Sequence, residues 1–475
     1  MTPTAADLVQ RLGGPGPRPA GPAPFLIVRA EPGSDRLTAY WALRRRAFVE
    51  QQELFARNDR DEHDGAAHTI VLVAVAAGGE ILGGVRLHPE GIDSGLGWWR
   101  GSRLVVGADA GAARGRVGSA LVRSACVAAG DAGALRFDAH VQAEHVRFFG
   151  RLGWERVRPL GGHPVAHELM RWPVDRFEAL VTATKSVLGP LLSDLLDAGD
   201  GWCGDDGVPV PGSSLVAATD AILPAMVERD PEWAGWCGML VTAHDLSAMG
   251  AHPVGAMDTI GAGDAAHAER IVRGLRAGSQ AFGLPVLGGH TTLGVPGSLG
   301  VTGLGSTDRP VPAGGGRPGD DLTLTADLDG DWRPGYRARQ WDSTTGRTRE
   351  ELGAMLGAVA RAQPHAAKDV SMAGTVGTAG MLAEASGCGV EIDVAAVPRP
   401  RDVGAGDWLT CFPGFAMLTA DRRGAPPLPA GPATGAPVGR LQAQPGVRLR
   451  WPDGDVTLAV AGPVTGLGPA RRAPA

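Results

Sequence analysis

Acidic side chains recur after residue 200 of this chain at positions suited to cation chemistry: Asp205-Asp206, Thr219-Asp220 and His244-Asp245, followed by Gly288-Gly289-His290-Thr291-Thr292. Carboxylates converging from several loops are what a hard cation bridging nucleotide phosphates requires, because Mg2+ takes oxygen ligands and keeps phosphate oxygens in its shell. One Gly-Asp pair is more often a turn, so the signal lies in the set. A second kind of chemistry stands earlier, in Arg114-Gly115-Arg116-Val117-Gly118-Ser119-Ala120, where a strand pattern gives way to an amphipathic helix pattern. A helix start offers unpaired N–H groups at the positive end of the dipole, and small residues let a pyrophosphate approach them. Only two lysines occur, Lys185 and Lys368, among 45 basic residues, an arginine bias that makes each lysine a question.

Composition limits what these residues can serve. The 475 residues exceed one ordinary domain, and 44% hydrophobic with 20% charged residues describes a globular chain. A formal charge of −6 gives no global reason to bind nucleic acid or an acidic membrane surface. The longest apolar run, Thr69 to Ala77, is far short of the roughly 20 residues that span a bilayer. The N-terminus lacks the charged-then-apolar pattern of a signal peptide, which points to the cytoplasm. The five scattered cysteines show no CxxC spacing, so they read as free thiols.

Periodicity supplies the elements that position the chemistry. After a Gly/Pro-rich leader over 1–24, strands are expected at Phe25–Arg29, Thr69–Ala76, Ile81–Leu87, Ser102–Val106 and Arg136–Val141, with helices at Leu37–Phe55, Val117–Ala129 and Ala143–Leu152. These alternating elements form one α/β domain over 25–177. A different texture follows over 178–462, with helices at Cys237–Met249, Ala265–Phe282, Arg349–Ala362 and Thr375–Ser386 between short strands, a loop at Gly424–Gly439, and a flexible tail over 463–475.

The Arg114–Ala120 turn, the strand before it and Phe148-Phe149-Gly150-Arg151-Leu152-Gly153-Trp154 after it resemble the GNAT acetyltransferase family. The resemblance implies that the amides of Val117, Gly118, Ser119 and Ala120, flanked by Arg114 and Arg116, hold the pyrophosphate of acetyl-CoA or another acyl-CoA. It also implies that backbone groups of Leu104, Val105 and Val106 hold the pantetheine. Gly115 replaces the usual Gln or Arg, Gln142 the usual Asn, and Phe149 the general-acid Tyr; a phenyl ring has no proton to give. Arg44–Gln51 and Asp61-Glu62-His63-Asp64 look like the substrate side of a GNAT subgroup similar to acyl-homoserine-lactone synthases. Acidic residues there would hold a cationic amine, with Glu50, His63 and His140 as the base candidates.

Gly204-Asp205-Asp206, Asp220, His244-Asp245 through Ala251, and Gly288-Gly289-His290, in this order, resemble the ATP-binding half of the AIR synthase superfamily, and Lys368-Asp369-Val370-Ser371-Met372-Ala373-Gly374 resembles its second-half signature. That likeness makes Asp205, Asp206, Asp220, Asp245 and Asp369 the candidates for Mg2+ and phosphate, lays the Gly288-Gly289 turn and His290 against ATP, and brings Lys185 to phosphate. His244 stands where relatives often have Asn. The whole reads as an α/β GNAT fold joined to an α+β two-half AIR-synthase-like domain. It implies a bifunctional enzyme that acylates a small-molecule amine and activates an amide or similar oxygen with ATP, as a homodimer formed through the C-terminal domain. Separate proteins similar to the two parts accompany nitrile or cyanide assimilation. The alternative is a sensor or scaffold that binds acyl-CoA and ATP without turnover.

Overall fold

The computed structural model describes residues 25–91, 94–162, 164–196 and 202–470, so the expected leader over 1–24 lies outside the described residues. The chain divides into two compact units. The first comprises Met1–Glu90, Trp99–Ala132 and Phe137–Pro173; the second comprises Gly91–Trp98, Gly133–Arg136 and Val174–Ala475.

The strands β1 (Phe25–Arg29), β2 (Ile70–Ala76), β3 (Ile81–Pro89), β4 (Trp98–Val106), β5 (Arg136–Gln142), β6 (Glu155–Leu160) and β7 (His167–Trp172) form one sheet in the order β1-β2-β3-β4-β5-β7-β6. The helix Arg114–Asp131 buries Val117, Leu121, Val122, Ala125 and Ala129, the stripe that its spacing predicts. The pattern over Leu37–Phe55 is realised as an α-helix Asp35–Arg44, capped by the Ser34 hydroxyl, running into a π-helical turn Arg45–Gln51. The β3–β4 ladder slips between Gly84 and Arg86, and Arg103 on the bulged strand adopts φ +55°, which few side chains tolerate. Tyr40 secures this bend by donating its hydroxyl to the Arg103 carbonyl at 2.7 Å.

The second unit has two halves. In the first, β8 (Val208–Pro209), β9 (Leu215–Ile222), β10 (His252–Ala262), β11 (Val286–Leu293) and β12 (Ser298–Ser306) form a sheet ordered β11-β10-β12-β9-β8. The helices Pro231–Ala248 and Ala265–Phe282 cross at glycine: a Cβ on Gly235 would meet the Ile271 carbonyl at 2.2 Å. In the second half, β13 (Asp321–Ala326), β16 (Ala366–Asp369), β17 (Gly389–Asp393), β18 (Ala416–Asp421), β19 (Thr434–Gln442), β20 (Val447–Arg450) and β21 (Val456–Val460) form a sheet ordered β16-β18-β13-β19-β17-β20-β21, and β14 (Asp331–Trp332) pairs separately with β15 (Trp341–Asp342).

Two expectations need correction. The stretch read as a loop at Gly424–Gly439 contains the start of β19, because Gly and Pro there sit in a strand paired to β13 and β17. The described part of the expected flexible tail, 463–470, is packed: Val464 is buried, and the Glu384 carboxylate accepts from the amides of Thr465 and Gly468. Among the described residues no helix is long and apolar enough to cross a membrane.

Candidate functional site

Three segments remote in sequence bring carboxylates together in the second unit. Asp206 stands in the turn before β8, Asp245 in the last turn of the buried helix Pro231–Ala248, and Asp369 at the end of β16; one oxygen from each lies within 4.8 Å of the others. Burial pushes Asp220, on β9, above the usual carboxylate range, although hydrogen bonding with Asp245 and the Lys185 charge pull it down. Burial, and then the neighbouring Asp220, Asp369 and Asp206, push Asp245 well above the usual carboxylate range. Asp369 is pushed well above it too, by burial and then by Asp206. Such a concentration of hard oxygen donors fits a divalent cation with Asp206, Asp245 and Asp369 as its holders.

Backbone geometry fixes these groups. The Asp369 amide donates to Asp206 Oδ2 at 3.0 Å, joining the first half of the unit to the second. Gly374, which opens the helix after Asp369, has φ +67°, and a Cβ there would meet the Leu409 carbonyl at 2.5 Å. Both lysines serve this cluster. Lys368 donates to Asp206 Oδ1 and to the Gly204 carbonyl, while the Lys185 charge lowers Asp220 and Asp369 against the effect of burial. Burial pushes Lys368 down, but Asp206 and then Asp369 and Asp205 more than offset this, so it stays charged.

Other expected residues lie differently. Asp205 is not among the converging carboxylates: its Oδ1 accepts the Ala313 amide at 2.8 Å and holds that loop. Gly288, Gly289 and His290 form no turn; they lie in β11, an exposed edge strand in register with Met257, Asp258 and Thr259. In that register Gly289 is three strands, roughly 14 Å, from Asp220 through Asp258 and Val301. His244 points to no ligand role. It is buried edge-on to Phe415, and burial pushes it down to about 3.

The first unit contains a cavity of about 460 Å³ whose lining includes Phe55, His63, Arg86, His88, Leu104 and His140. Asp61, Arg86 and Arg103 of its lining belong to an ion network that the alternation of strand residues did not reveal. Arg44, fully buried, donates to Asp59 and Asp64; Arg86 donates to Asp61; and Arg103 donates to the Asp59 carbonyl and to Asp61. Asp61 and Asp64 are therefore taken by arginines and cannot hold a cationic amine as expected. Burial raises Asp64, yet hydrogen bonding by Arg44 and the charge of Arg86 hold it far below the usual range. Glu50 does not line the cavity; it pairs with Arg45 at 3.1 Å on the surface.

His63 and His140 do line the cavity, and so does Gln142, which donates to Gln52. His63 stacks on His88 at 3.7 Å, a residue missed because it looked like part of a strand. Burial and then His63 push His88 down to about 3, which keeps it neutral. His63, His88 and Glu90 also offer ring and carboxylate atoms within 4.8 Å of one another, although face-to-face rings do not aim two lone pairs at one ion.

The residues expected to hold a pyrophosphate, Val117 to Ala120, do not stand at the helix start. The helix starts at Arg114 after the N-cap Ala113, so the N–H groups of Val117, Gly118, Ser119 and Ala120 are spent on intrahelical bonds, and those of Gly115 and Arg116 lie in the first turn. Arg114 donates its amide to the Gly111 carbonyl. Gly118 is buried, with Phe148 3.4 Å from where its Cβ would stand, whereas a Cβ on Gly115 meets nothing within 4 Å. Leu104 lines the cavity beside the bulge, Val105 is buried and Val106 is half-buried.

Residues 204–307 match the family model for the AIR synthase related protein N-terminal domain, and residues 334–421 match that for its C-terminal domain. An uncharacterized protein of Synechocystis sp. is 34% identical over 226 residues, covering 46% of this chain and 70% of that relative. A thiamine-monophosphate kinase of Methanospirillum hungatei is 31% identical over 227 residues, covering 43% of this chain and 73% of that enzyme. The solved structure of T. maritima PurL complexed with ADP has a similar fold, with a TM-score of 0.50 and 16% identity over 64% of this chain and 53% of that one.

Proposed function

Because the chain belongs to the AIR synthase-related family, we propose that its second unit binds ATP with Mg2+ and phosphorylates an oxygen of a small molecule. The convergence of Asp206, Asp245 and Asp369 carries this reading, because it lies within the family-matched residues and has the donor chemistry that a phosphate-bridging cation needs. The cation would neutralise charge on the phosphates. Asp206, Asp245 and Asp369 would hold it, and Lys185, whose charge acts on Asp220 and Asp369, would supply further positive charge. The kinase relative lends support to phosphoryl transfer as the reaction class. Magnesium-dependent ADP formation with a panel of small amines, amides and alcohols tests it; a chain that binds no nucleotide in Mg2+ by calorimetry overturns it.

The first unit is, on the same proposal, a GNAT-type domain that takes acetyl-CoA or a related acyl-CoA and acylates an amine. Its support is the seven-strand order, the bulge at Arg103 on β4, the helix start that follows it and the cavity beside Leu104. His63 and His140 are its base candidates, and a role of the two activities in small-molecule nitrogen metabolism belongs to the same proposal, with the sequence resemblance as its support. Gly115→Glu should weaken acetyl-CoA binding at least about tenfold by calorimetry, since the carboxylate stands beside amides that a pyrophosphate needs. Gly118→Glu should instead unfold the unit, because its side chain enters the packed face against Phe148. Equal acetyl-CoA affinity in wild type and folded Gly115→Glu would contradict the assignment. Phe149, buried edge-on to Phe148 and Trp154, offers no proton to a leaving thiolate, and this favours the non-catalytic scaffold as second reading; acyl-CoA-dependent CoA release separates the two.

A homodimer completes the proposal. Strand β11 is exposed along its length, with Leu287 59% and Leu293 52% exposed, and Met257 on the adjoining β10 is exposed as well. An exposed apolar edge strand invites pairing, and a second copy is the simplest partner. Light scattering at micromolar concentration should report a dimer, and Leu287→Arg a monomer; a monomeric wild type overturns the proposal.

A further inference from the structure

We propose that Lys368 is a tethered cation that occupies Asp206 until nucleotide phosphate draws the ammonium away, so that divalent cation and nucleotide enter the site together. The inference rests on the ATP reading above and goes beyond it, since it assigns the order in which charges are exchanged to one residue of this chain.

Of 45 basic side chains two are lysines, and both act on the carboxylate cluster. An arginine makes a rigid planar fork, whereas a lysine is a compact charge on a flexible stem that can leave one partner for another. The contacts of Lys368 suit such an exchange. Its ammonium donates to Asp206 Oδ1 and to the Gly204 carbonyl, and Asp206 Oδ2 accepts the Asp369 amide at 3.0 Å. Both oxygens of Asp206 are thus engaged. A free cation seeking Asp206 must displace an ammonium that is 4% exposed and would leave it buried without its anion, which is costly. A nucleotide phosphate offers that ammonium a new anion, and Asp206 then joins Asp245 and Asp369. Metal and nucleotide are coupled by this exchange, each raising the affinity of the other.

The test is calorimetry on the full chain with Mn2+ alone and with a non-hydrolysable ATP analogue in Mn2+. Lys368→Met should bind free Mn2+ at least about tenfold more tightly than wild type and bind the analogue at least about tenfold more weakly. Lys185→Met removes the same charge from beside Asp220 and Asp369, and so sets the baseline that charge removal alone produces; Lys368→Met must exceed it for Mn2+. A folded Lys368→Met with unchanged or weaker Mn2+ affinity overturns the tether. If wild type still binds the analogue in that case, the ATP site stands; if wild type binds no analogue, both fall. Should Lys368→Met not fold, Lys368→Gln keeps a donor towards Gly204 and Asp206 without the charge and is judged by the same outcomes. Wild type alone also decides: Mn2+ by itself should leave its melting temperature nearly unchanged, whereas Mn2+ with the analogue should raise it. Equal stabilisation by Mn2+ alone overturns the proposal.

Discussion

Asp245→Asn should lower magnesium-dependent ADP formation by on the order of a hundredfold or more while making the metal-free protein more stable at neutral and alkaline pH. The carboxylate is fully enclosed with Asp206, Asp220 and Asp369 around it, and its folded pKa lies well above the unfolded one. For a raised acid, the stability contribution is present below the unfolded pKa of about 4 and lost as pH rises through the folded value. Wild type in EDTA should therefore melt at falling temperature from about pH 4 upwards. The variant should show a shallower slope, because the neutral amide never has to ionise. Mg2+ together with a non-hydrolysable ATP analogue should flatten the wild-type slope as well, by giving the ionised cluster a partner, whereas Mg2+ alone should leave it nearly unchanged. Melting curves across pH with EDTA or with Mg2+ and the analogue, together with ADP release, check both halves. A fully active variant would move the metal away from Asp245; a variant less stable than wild type in EDTA at pH 8 would show that the cluster is not strained by its own charge. Asp205→Asn is the contrast: its amide oxygen can still accept the Ala313 N–H, so it should retain ADP formation far better.

Arg44→Met should destabilise the first unit by roughly 3–5 kcal/mol, the cost of leaving buried carboxylates without their cation. Arg44 is 0% exposed, with hydrogen bonds to Asp59 Oδ2 at 2.7 Å, to the Asp59 carbonyl at 3.0 Å and to Asp64 Oδ2 at 3.0 Å. Hydrogen exchange over the helix Asp35–Arg44 and β3 should read the loss directly. The network also gives an acid signature. Asp64 is held far below its unfolded pKa, so its contribution is present above about pH 4 and lost as pH falls through the folded value. The variant should lose part of that acid slope, the remainder being kept by Arg86, which stays 2.9 Å from Asp64. Protection equal to wild type would mean that the network is dispensable.

Much of the site was legible before any fold was known, because it is written in residue types that chemistry restricts. Asp206, Asp220 and Asp245 could be singled out since hard cations need oxygen donors from several segments, Asp369 through the family resemblance of Lys368–Gly374, and His63 and His140 since few side chains can move protons near neutral pH. Helices with a clear apolar stripe were equally visible: Ala265–Phe282 has the bounds that its spacing predicts. Strands buried on both faces or exposed on both carry no alternation, and thus β6 and β18 left no signal.

Direction in space is what the residue string could not carry. Asp205 and Asp206 are adjacent and identical in type, yet one holds the Ala313 loop and the other joins the cluster, because neighbouring side chains in a turn leave the backbone on different sides. Gly115 and Gly118 are similar in composition and context, but one faces open space and the other Phe148, since three residues of helix change the face presented. Asp61 and Asp64 kept their charge but not their freedom: three arginines from separate segments reach them only once the strands are paired. Residue types alone set out the charges and proton carriers that the protein possesses and the AIR synthase-related character of residues 204–421. Which of those charges are neutralised internally and which remain to meet a ligand follows from the fold, because pairing depends on distances of a few ångströms between segments far apart in the chain.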